Sequence, residues 1–307
     1  MSAVQLDRRQ AGIALAFAAA LISGISVYVN AIAVRAFGDP TLYTTLKNLI
    51  AGALLVVAAG VLLRGGRARI ERPRGRRQLV GLAAIGVFGG GVAFILFFQG
   101  LAHTSASSAG FVQKTLIIWV AVLAVAFLRE RFSLLHAAAI ALLVTGQLVV
   151  SGGAGLSALG AGDLMVFVAT LIWAAEVVLA KGLLGTLSPM SVALARMGVG
   201  SVVLFAFSIS SGAATALPAL SAGQWGWVVV TGVILSLYVA VWFSALARAT
   251  AIDVTAVLVF SAVVTAAISS AAGSSASLSG AGLALIAIGA AGIAVTALRR
   301  SPARLPA

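Results

Sequence analysis

Ten long apolar runs account for most of this chain. Each run is close to the ~20 residues that an α-helix needs to cross the ~30 Å hydrocarbon core of a bilayer. The runs show no strict alternation of apolar and polar residues, which favours helices over the strands of a membrane barrel. We therefore expect an all-α membrane protein with ten transmembrane helices, at about 11–33, 41–63, 79–101, 106–128, 134–151, 163–180, 190–209, 225–247, 254–272 and 280–298.

Composition and charge support a multi-pass membrane protein. Of the 307 residues, 62% are apolar and 9% are charged, and a soluble domain of that length could not bury so much apolar surface. The net charge of +13 would suggest nucleic acid in a soluble protein. Here the arginines lie in short links between apolar runs, seven of them from Arg64 to Arg77. Because basic links stay on the cytoplasmic side, we expect both termini in the cytoplasm and the protein in the cell inner membrane.

The two halves of the chain share a spacing between a proline and a cation inside a predicted helix. Pro40 stands seven residues before Lys47, and Pro189 stands seven residues before Arg196. The offset between the two pairs is close to half the chain length. This match predicts an internal repeat.

The repeat predicts two copies of a five-helix unit, the first over 1–152 and the second over 153–307. Five is an odd number, so the second copy must enter the membrane in the opposite direction. Inverted repeats of this kind place the substrate site near the midplane of the bilayer, between the halves.

Two further features are a short charged turn after the fourth run and a set of small and branched residues that recurs with the same spacing in both halves. They are Glu130, Phe132 and Ser133, then Ala139, Leu142, Leu143 and Gly146, and in the second half Gly282, Leu285, Ile286 and Gly289. Together with the stretch from Pro189 to Arg196, they resemble the drug/metabolite transporter superfamily in its ten-helix EamA-type branch. The resemblance implies an exporter of amino acids or other small metabolites, similar to the YddG-type aromatic amino-acid exporters.

Two polar faces, one on the first predicted helix and one on the sixth, are candidates for the wall of a cavity. Ser23, Ser26 and Asn30 stand three and four residues apart, so they share one face of a helix. The equivalent stretch of the sixth helix holds Trp173 and Glu176. The alternative is that the serines and the asparagine hold helices together, as small polar residues often do in membranes.

A lysine inside the fourth apolar run is the strongest candidate for contact with a substrate. Lys114 shares a helix face with Ser107, and Phe111 and Gln113 are adjacent. A charge that far inside a span is unfavourable, so it indicates a functional site, and its ammonium group could bind a carboxylate. The alternative is that Lys114 is a structural partner for Glu176 or for carbonyl groups.

Other charged and aromatic residues lie inside predicted helices. Lys47 and Arg196 are only about two turns from a helix start, so we expect their side chains to reach the nearest interface. Glu176 could pair with Arg196 or carry protons. Tyr238 and Trp242 of the eighth helix could stack on an aromatic or apolar ligand, although packing alone would explain such a stripe.

These features together predict a secondary transporter that exports amino acids or related metabolites by alternating access, with aromatic or apolar side chains favoured. The sequence contains no Gly-rich phosphate loop, metal-ligand spacing or nucleophile elbow, so we expect no enzyme activity, no cofactor and no metal. The expected partners are a small-molecule substrate and the lipid bilayer, and not nucleic acid. The competing interpretation is a membrane channel or a lipid-handling scaffold.

Overall fold

The computed structural model describes residues 3–66, 69–104, 106–150, 160–272 and 279–299, and within these ranges every regular element is helical. The principal helices are α1 (Ala3–Phe37), α2 (Pro40–Arg64), α3 (Arg76–Ala102), α4 (Ala106–Lys114 and Leu116–Leu128), α5 (Leu134–Val150), α6 (Ala161–Leu183), α7 (Pro189–Ser210), α8 (Ala222–Leu246), α9 (Ala251–Leu258 and Ser261–Ala271) and α10 (Gly280–Arg299). A short 3₁₀ helix, Ala213–Ala219, joins α7 to α8. The all-α prediction is confirmed.

Eight helices of the described part of the chain, α1–α4 and α6–α9, are long and apolar enough to cross a membrane, judged by length and composition. The shorter apolar helices are α5 and the Gly280–Ile293 part of α10. The predicted class of multi-pass membrane protein is therefore confirmed, whereas the count of ten crossings stays a prediction. The predicted positions of α2 to α10 agree with the structure to within a few residues, and α1 is longer at both ends.

Two helix starts explain why proline marks the same place in both halves. Asp39 caps α2 by accepting from two backbone N–H groups at 2.8 and 3.0 Å, and Pro40 takes the first helical position. Ser188 caps α7 by accepting from one backbone N–H at 3.2 Å, and Pro189 follows it in the same way. A polar cap satisfies N–H groups that lack an intrahelical acceptor, and proline is tolerated where its missing N–H would be unpaired.

The helices pack in pairs that recur when the two halves are exchanged. Helix α1 packs against α8 and α9, and its counterpart α6 packs against α3 and α4. Helix α2 packs against α7 and α8, α7 packs against α2 and α3, and α5 packs against its own counterpart α10. The two-repeat architecture therefore fits the structure. The predicted boundary between residues 152 and 153 lies outside the described residues.

The fourth helix of each half is interrupted near its middle. In α4 the interruption is at Thr115, whose N–H bonds to a carbonyl three residues back instead of four. In α9 the N–H groups of Val259 and Phe260 also bond three residues back. The two interruptions lie close together: Lys114 Nζ, next to the first, donates to Ser261 Oγ, next to the second, at 2.9 Å. Discontinuous helices are common at the ion and substrate sites of transporters.

The middle of α3, Ile85–Val92, is a π-helical segment rich in glycine. Gly90 and Gly200 of α7 lie so close that a Cβ atom on Gly200 would fall 2.6 Å from the carbonyl carbon of Gly90. The glycines therefore allow α3 to approach α7 closely. π-Helical segments within α-helices are frequent at functional sites, and here the Gly89 carbonyl accepts hydrogen bonds from two side chains.

The two halves are joined at one end by a polar network. The Glu130 carboxylate, in the charged turn after α4, accepts from the first two backbone N–H groups of α9 at 2.7 and 3.1 Å. Burial raises the pKa of the Glu130 carboxyl, and these N–H donors act in the opposite direction. Asp253, whose side chain is fully buried, pairs with Arg9 at 2.9 Å and with His136 at 3.0 Å. The charged turn of the first half thus caps a helix of the second half.

Candidate functional site

A buried ion pair lies between α6 and α7, about two turns from the start of α7. Arg196 Nε donates to Glu176 Oε1, and Arg196 Nη2 lies 3.5 Å from Glu176 Oε2. Only 9% of Arg196 and 8% of Glu176 are exposed. The predicted pairing of these two residues is confirmed, and the prediction that Arg196 reaches the membrane interface is wrong. The physical reason is that Glu176 supplies a counter-charge inside the bundle, which offsets the desolvation of the guanidinium.

The carbonyl of Gly89, in the π-helical segment of α3, is the third member of this site. It accepts from Trp173 Nε1 at 3.1 Å and from Arg196 Nη2 at 3.4 Å. Gly89 also packs so closely against Glu176 that a Cβ atom at this position would overlap the carboxylate. The ion pair is therefore held by α3, α6 and α7, which come from both halves of the chain.

Aromatic rings lie beside this ion pair. Phe94 of α3 lies over the Arg196 guanidinium, with 5.4 Å from Cζ to the ring centroid, and packs edge-on against Trp173. Tyr238 of α8 stacks on Trp242 with 6.0 Å between ring centroids. Trp173 of α6 thus lies at this ion pair, and Trp242 is buried in the hydrophobic core to which α6 also contributes. Rings beside a fixed ion pair suit a zwitterion with an aromatic or apolar side chain.

A second polar cluster joins α1 to α2, about two turns from the start of α2. Asn30 Oδ1 accepts from Tyr43 OH at 2.6 Å and from Lys47 Nζ at 2.9 Å, while Asn30 Nδ2 donates to Ser26 Oγ at 3.0 Å. Lys47 is 5% exposed and lies over the rings of Tyr43 and Phe98. The prediction that Lys47 reaches the interface is wrong, because an amide oxygen and two aromatic faces hold its ammonium group inside the bundle.

The two clusters occupy equivalent positions of the two repeats. Lys47 and Arg196 each follow the first proline of their helix by seven residues, and each pairs with a side chain of the preceding helix. Phe94 and Phe98 of α3 stack on each other with 6.4 Å between centroids, and each lies against one of the two cations. The partners differ in charge, since the second repeat supplies a carboxylate and the first supplies an amide.

Lys114 belongs to neither cluster. Its Nζ donates to Ser261 Oγ, so its structural partner is a serine, whereas Glu176 pairs with Arg196. Lys114 also lines a cleft between α4 and α5, together with Phe111. The sequence groups the lysine with neighbours on its own helix, and the structure adds a contact with the second interrupted helix, α9.

The remaining predicted residues are less informative. Ser23 and Gln113 are half-buried, and the side chain of Ser107 lies outside the described part of the chain. The sequence reasoning missed Tyr43 and the Gly89 carbonyl as members of a site. The shared proline spacing could have identified Lys47 as the equivalent of Arg196, but no sequence signal identifies a single carbonyl in a glycine-rich helix.

A serine, a histidine and an aspartate are aligned in the network between the halves. Ser133 Oγ lies 2.8 Å from His136 Nδ1, and His136 Nε2 lies 3.0 Å from Asp253 Oδ1. The same serine oxygen accepts from the backbone N–H of His136 at 3.4 Å, and the aspartate also binds Arg9. These contacts tie α1, α5 and α9 together, and His136 is only 1% exposed, so we assign the alignment to the interface between the halves and not to hydrolysis.

Comparison with solved structures identifies the fold. A structure described only as "Crystal structure of protein" aligns with a TM-score of 0.74 at 22% sequence identity, covering 95% of this chain and 98% of that chain. At this identity the likeness shows the fold alone. No curated protein sequence matches the chain.

Comparison with protein families identifies the class. The model of the EamA-like transporter family matches residues 10–152 and, a second time, residues 160–298. The first match contains helices from α1 to α5, and the second contains helices from α6 to α10. The resemblance to the drug/metabolite transporter superfamily is confirmed, and the chain belongs to the EamA-like transporter family.

Proposed function

We propose that this protein is a secondary transporter that exports amino acids, with aromatic or apolar side chains favoured, or related small metabolites across the cell inner membrane. The family supplies the transporter class. The observation that supports the substrate class is the buried pair of Glu176 and Arg196 beside the aromatic side chains of Phe94 and Trp173. A zwitterion can exchange ionic contacts with such a pair, and the rings can receive its side chain.

The proposed substrate path uses the predicted residues in distinct roles. The amino group lies near Glu176, and the side chain packs against Trp173, Tyr238 and Trp242. Lys114 receives the carboxylate when the interrupted helices α4 and α9 rearrange. The polar and aromatic residues that line the rest of this path are Ser23, Ser26, Asn30, Ser107, Phe111 and Gln113.

Alternating access is the proposed mechanism. The principal contacts between the halves have counterparts with the helices exchanged, so a second packing of comparable quality could open the site to the other side. The interruptions of α4 and α9 and the π-helical segment of α3 are places where helices can bend. The proposed topology has ten crossings in two inverted repeats, 1–152 and 153–307, with both termini in the cytoplasm.

Counterflow in proteoliposomes tests this function. Vesicles that contain the protein and are loaded with unlabelled tryptophan should accumulate labelled tryptophan from outside, and the rate should saturate as the external concentration rises. Saturation is expected because each cycle occupies one binding site. Trp173→Ala should raise the half-saturation concentration, because it removes the ring and the N–H that donates to Gly89.

Trp225→Ala is the matched control, because Trp225 is 40% exposed near the start of α8 and lies outside the proposed site. It should leave the half-saturation concentration unchanged. A flux that rises in proportion to concentration would favour the channel interpretation. Failure of every aromatic and apolar amino acid to exchange would overturn the proposed substrate class and leave the family assignment intact.

A further inference from the structure

Lys47 is a buried cation whose contacts in the described part of the chain are with neutral groups. Its Nζ donates to Asn30 Oδ1 at 2.9 Å and lies 5.0 and 4.8 Å from the ring centroids of Tyr43 and Phe98. An ammonium group carries three N–H donors, and among the described residues only Asn30 supplies a hydrogen-bond acceptor. A buried charge without a counter-charge is strongly unfavourable, so the position indicates a functional role.

The second repeat shows how the equivalent position is neutralised. Arg196 stands at the same place in its helix and binds the carboxylate of Glu176. In the first repeat the corresponding partner is the amide of Asn30, which carries no charge. When Lys47 is protonated, its cluster carries a net positive charge, which a negative group could balance.

An unpaired hydroxyl group lies about one turn before this lysine on α2. Thr44 stands three residues before Lys47 on the same face of α2 and is 2% exposed, and its Oγ1 has no hydrogen-bond partner among the described residues. Thr44 and Phe98 line a narrow cleft between α2, α3 and α7. Because Phe98 also lies against Lys47 Nζ, rotation of this one ring would connect the ammonium group with the cleft.

We propose that Lys47 and Thr44 form an anion site that takes the carboxylate of a small organic acid or amino acid. The ammonium group donates to one carboxylate oxygen, the Thr44 hydroxyl donates to the other, and Phe98 packs against the apolar part of the ligand. This site is separate from the Glu176–Arg196 pair and from Lys114. Its ligand class rests on the proposed transport of small metabolites, whereas its position rests on the burial of Lys47 and the unpaired Thr44 hydroxyl.

A binding measurement tests this site without requiring transport. Phenylacetate, an aromatic carboxylate without an amino group, is titrated into the purified full-length protein, and its affinity is measured by calorimetry. Lys114→Met is present in every sample, because Lys114 is a second candidate for a carboxylate. Lys47→Gln should weaken the affinity roughly tenfold or more, as expected for loss of a charge-assisted hydrogen bond. Thr44→Val should weaken it by a smaller factor.

Matched controls separate the site from general charge effects. Arg35→Gln removes an exposed cation at the same end of the bundle and should leave the affinity unchanged. Phenylacetamide has the same shape without the charge and should bind much more weakly than phenylacetate. Lys47→Arg keeps the positive charge and should retain measurable binding of phenylacetate. This variant replaces Lys47→Gln in the comparison if Lys47→Gln fails to fold.

Several results would overturn this site. They are unchanged phenylacetate affinity in Lys47→Gln, equal affinity for phenylacetamide, and no binding of phenylacetate at all. If chloride alone gives the same Lys47-dependent response, the site takes an inorganic anion and the carboxylate assignment is wrong. Binding of phenylacetate as expected, in a protein that shows no counterflow, would overturn the proposed function and leave the anion site standing.

Discussion

Replacing Glu176 with glutamine should destabilise the protein by about 3–5 kcal/mol, the range for a buried ion pair that loses one partner. Arg196 is 9% exposed and would stay charged, with the Gly89 carbonyl as a remaining acceptor. Transport should fall as well, because Trp173 shares that carbonyl and borders the proposed substrate site. Thermal unfolding of the purified protein measures the first effect, and counterflow in proteoliposomes measures the second.

The double variant Glu176→Gln with Arg196→Met separates charge from packing. Removing both charges should restore much of the lost stability, since apolar replacement of a buried ion pair is often close to neutral. Wild-type stability of Glu176→Gln alone would show that the pair does not hold the helices together. Loss of the pH dependence of flux in that variant would then favour a proton-carrying role, and unchanged pH dependence would remove both roles.

Replacing Lys114 with methionine should weaken the affinity for a transported amino acid by roughly 10–100-fold, since each tenfold corresponds to about 1.4 kcal/mol. The expected loss is the charge-assisted hydrogen bond between the ammonium group and the substrate carboxylate, which contributes about 1.5–3 kcal/mol. Folding should survive, because methionine fills a similar volume without a buried charge. Competition binding with a labelled amino acid measures the affinity.

Two controls distinguish a substrate contact from a structural one. The amine that lacks the carboxylate of the same amino acid should lose much less affinity in Lys114→Met. Ser261→Ala removes the hydroxyl that Lys114 Nζ contacts but keeps the ammonium group, so it should leave the preference for the amino acid over the amine unchanged. Equal losses of affinity for the amino acid and the amine would show that Lys114 has a structural role and does not contact the substrate carboxylate.

Helix positions could be predicted from the sequence because apolar length and N-terminal caps act locally. Pro40 and Pro189 mark helix starts in the sequence, and both follow capping residues in the structure. The charged turn after α4 is visible in the same way, and Arg129 adopts the left-handed conformation there with φ of 54°. The bonds from α9 to Glu130 could not be predicted, because they depend on how the two halves pack.

The neighbours of the buried charges could not be predicted either. The sequence gives the distance of Lys47 and Arg196 from their helix starts, which favours side chains that extend to the interface. Their burial is decided by side chains on other helices, which are Asn30 for the lysine and Glu176 for the arginine. The periodicity of apolar residues shows which residues share a face of one helix. It does not show which face of a second helix packs against that face.

If the substrate binds between the halves beside Tyr238, it should shield that face of α8 from a water-soluble maleimide. The chain has no cysteine, so a single introduced thiol can be followed alone. Leu235→Cys places a thiol three residues before Tyr238 on the same helix face, and Gly185→Cys places one in the exposed link between α6 and α7.

The measurement is the rate of alkylation of each single-cysteine variant with and without tryptophan. At about ten times the dissociation constant, roughly a tenth of the sites stay empty, so alkylation of Leu235→Cys should slow about tenfold. Alkylation of Gly185→Cys should keep its rate. Equal rates for Leu235→Cys with and without the amino acid, or no reaction of that thiol at all, would contradict a water-accessible substrate site between the halves.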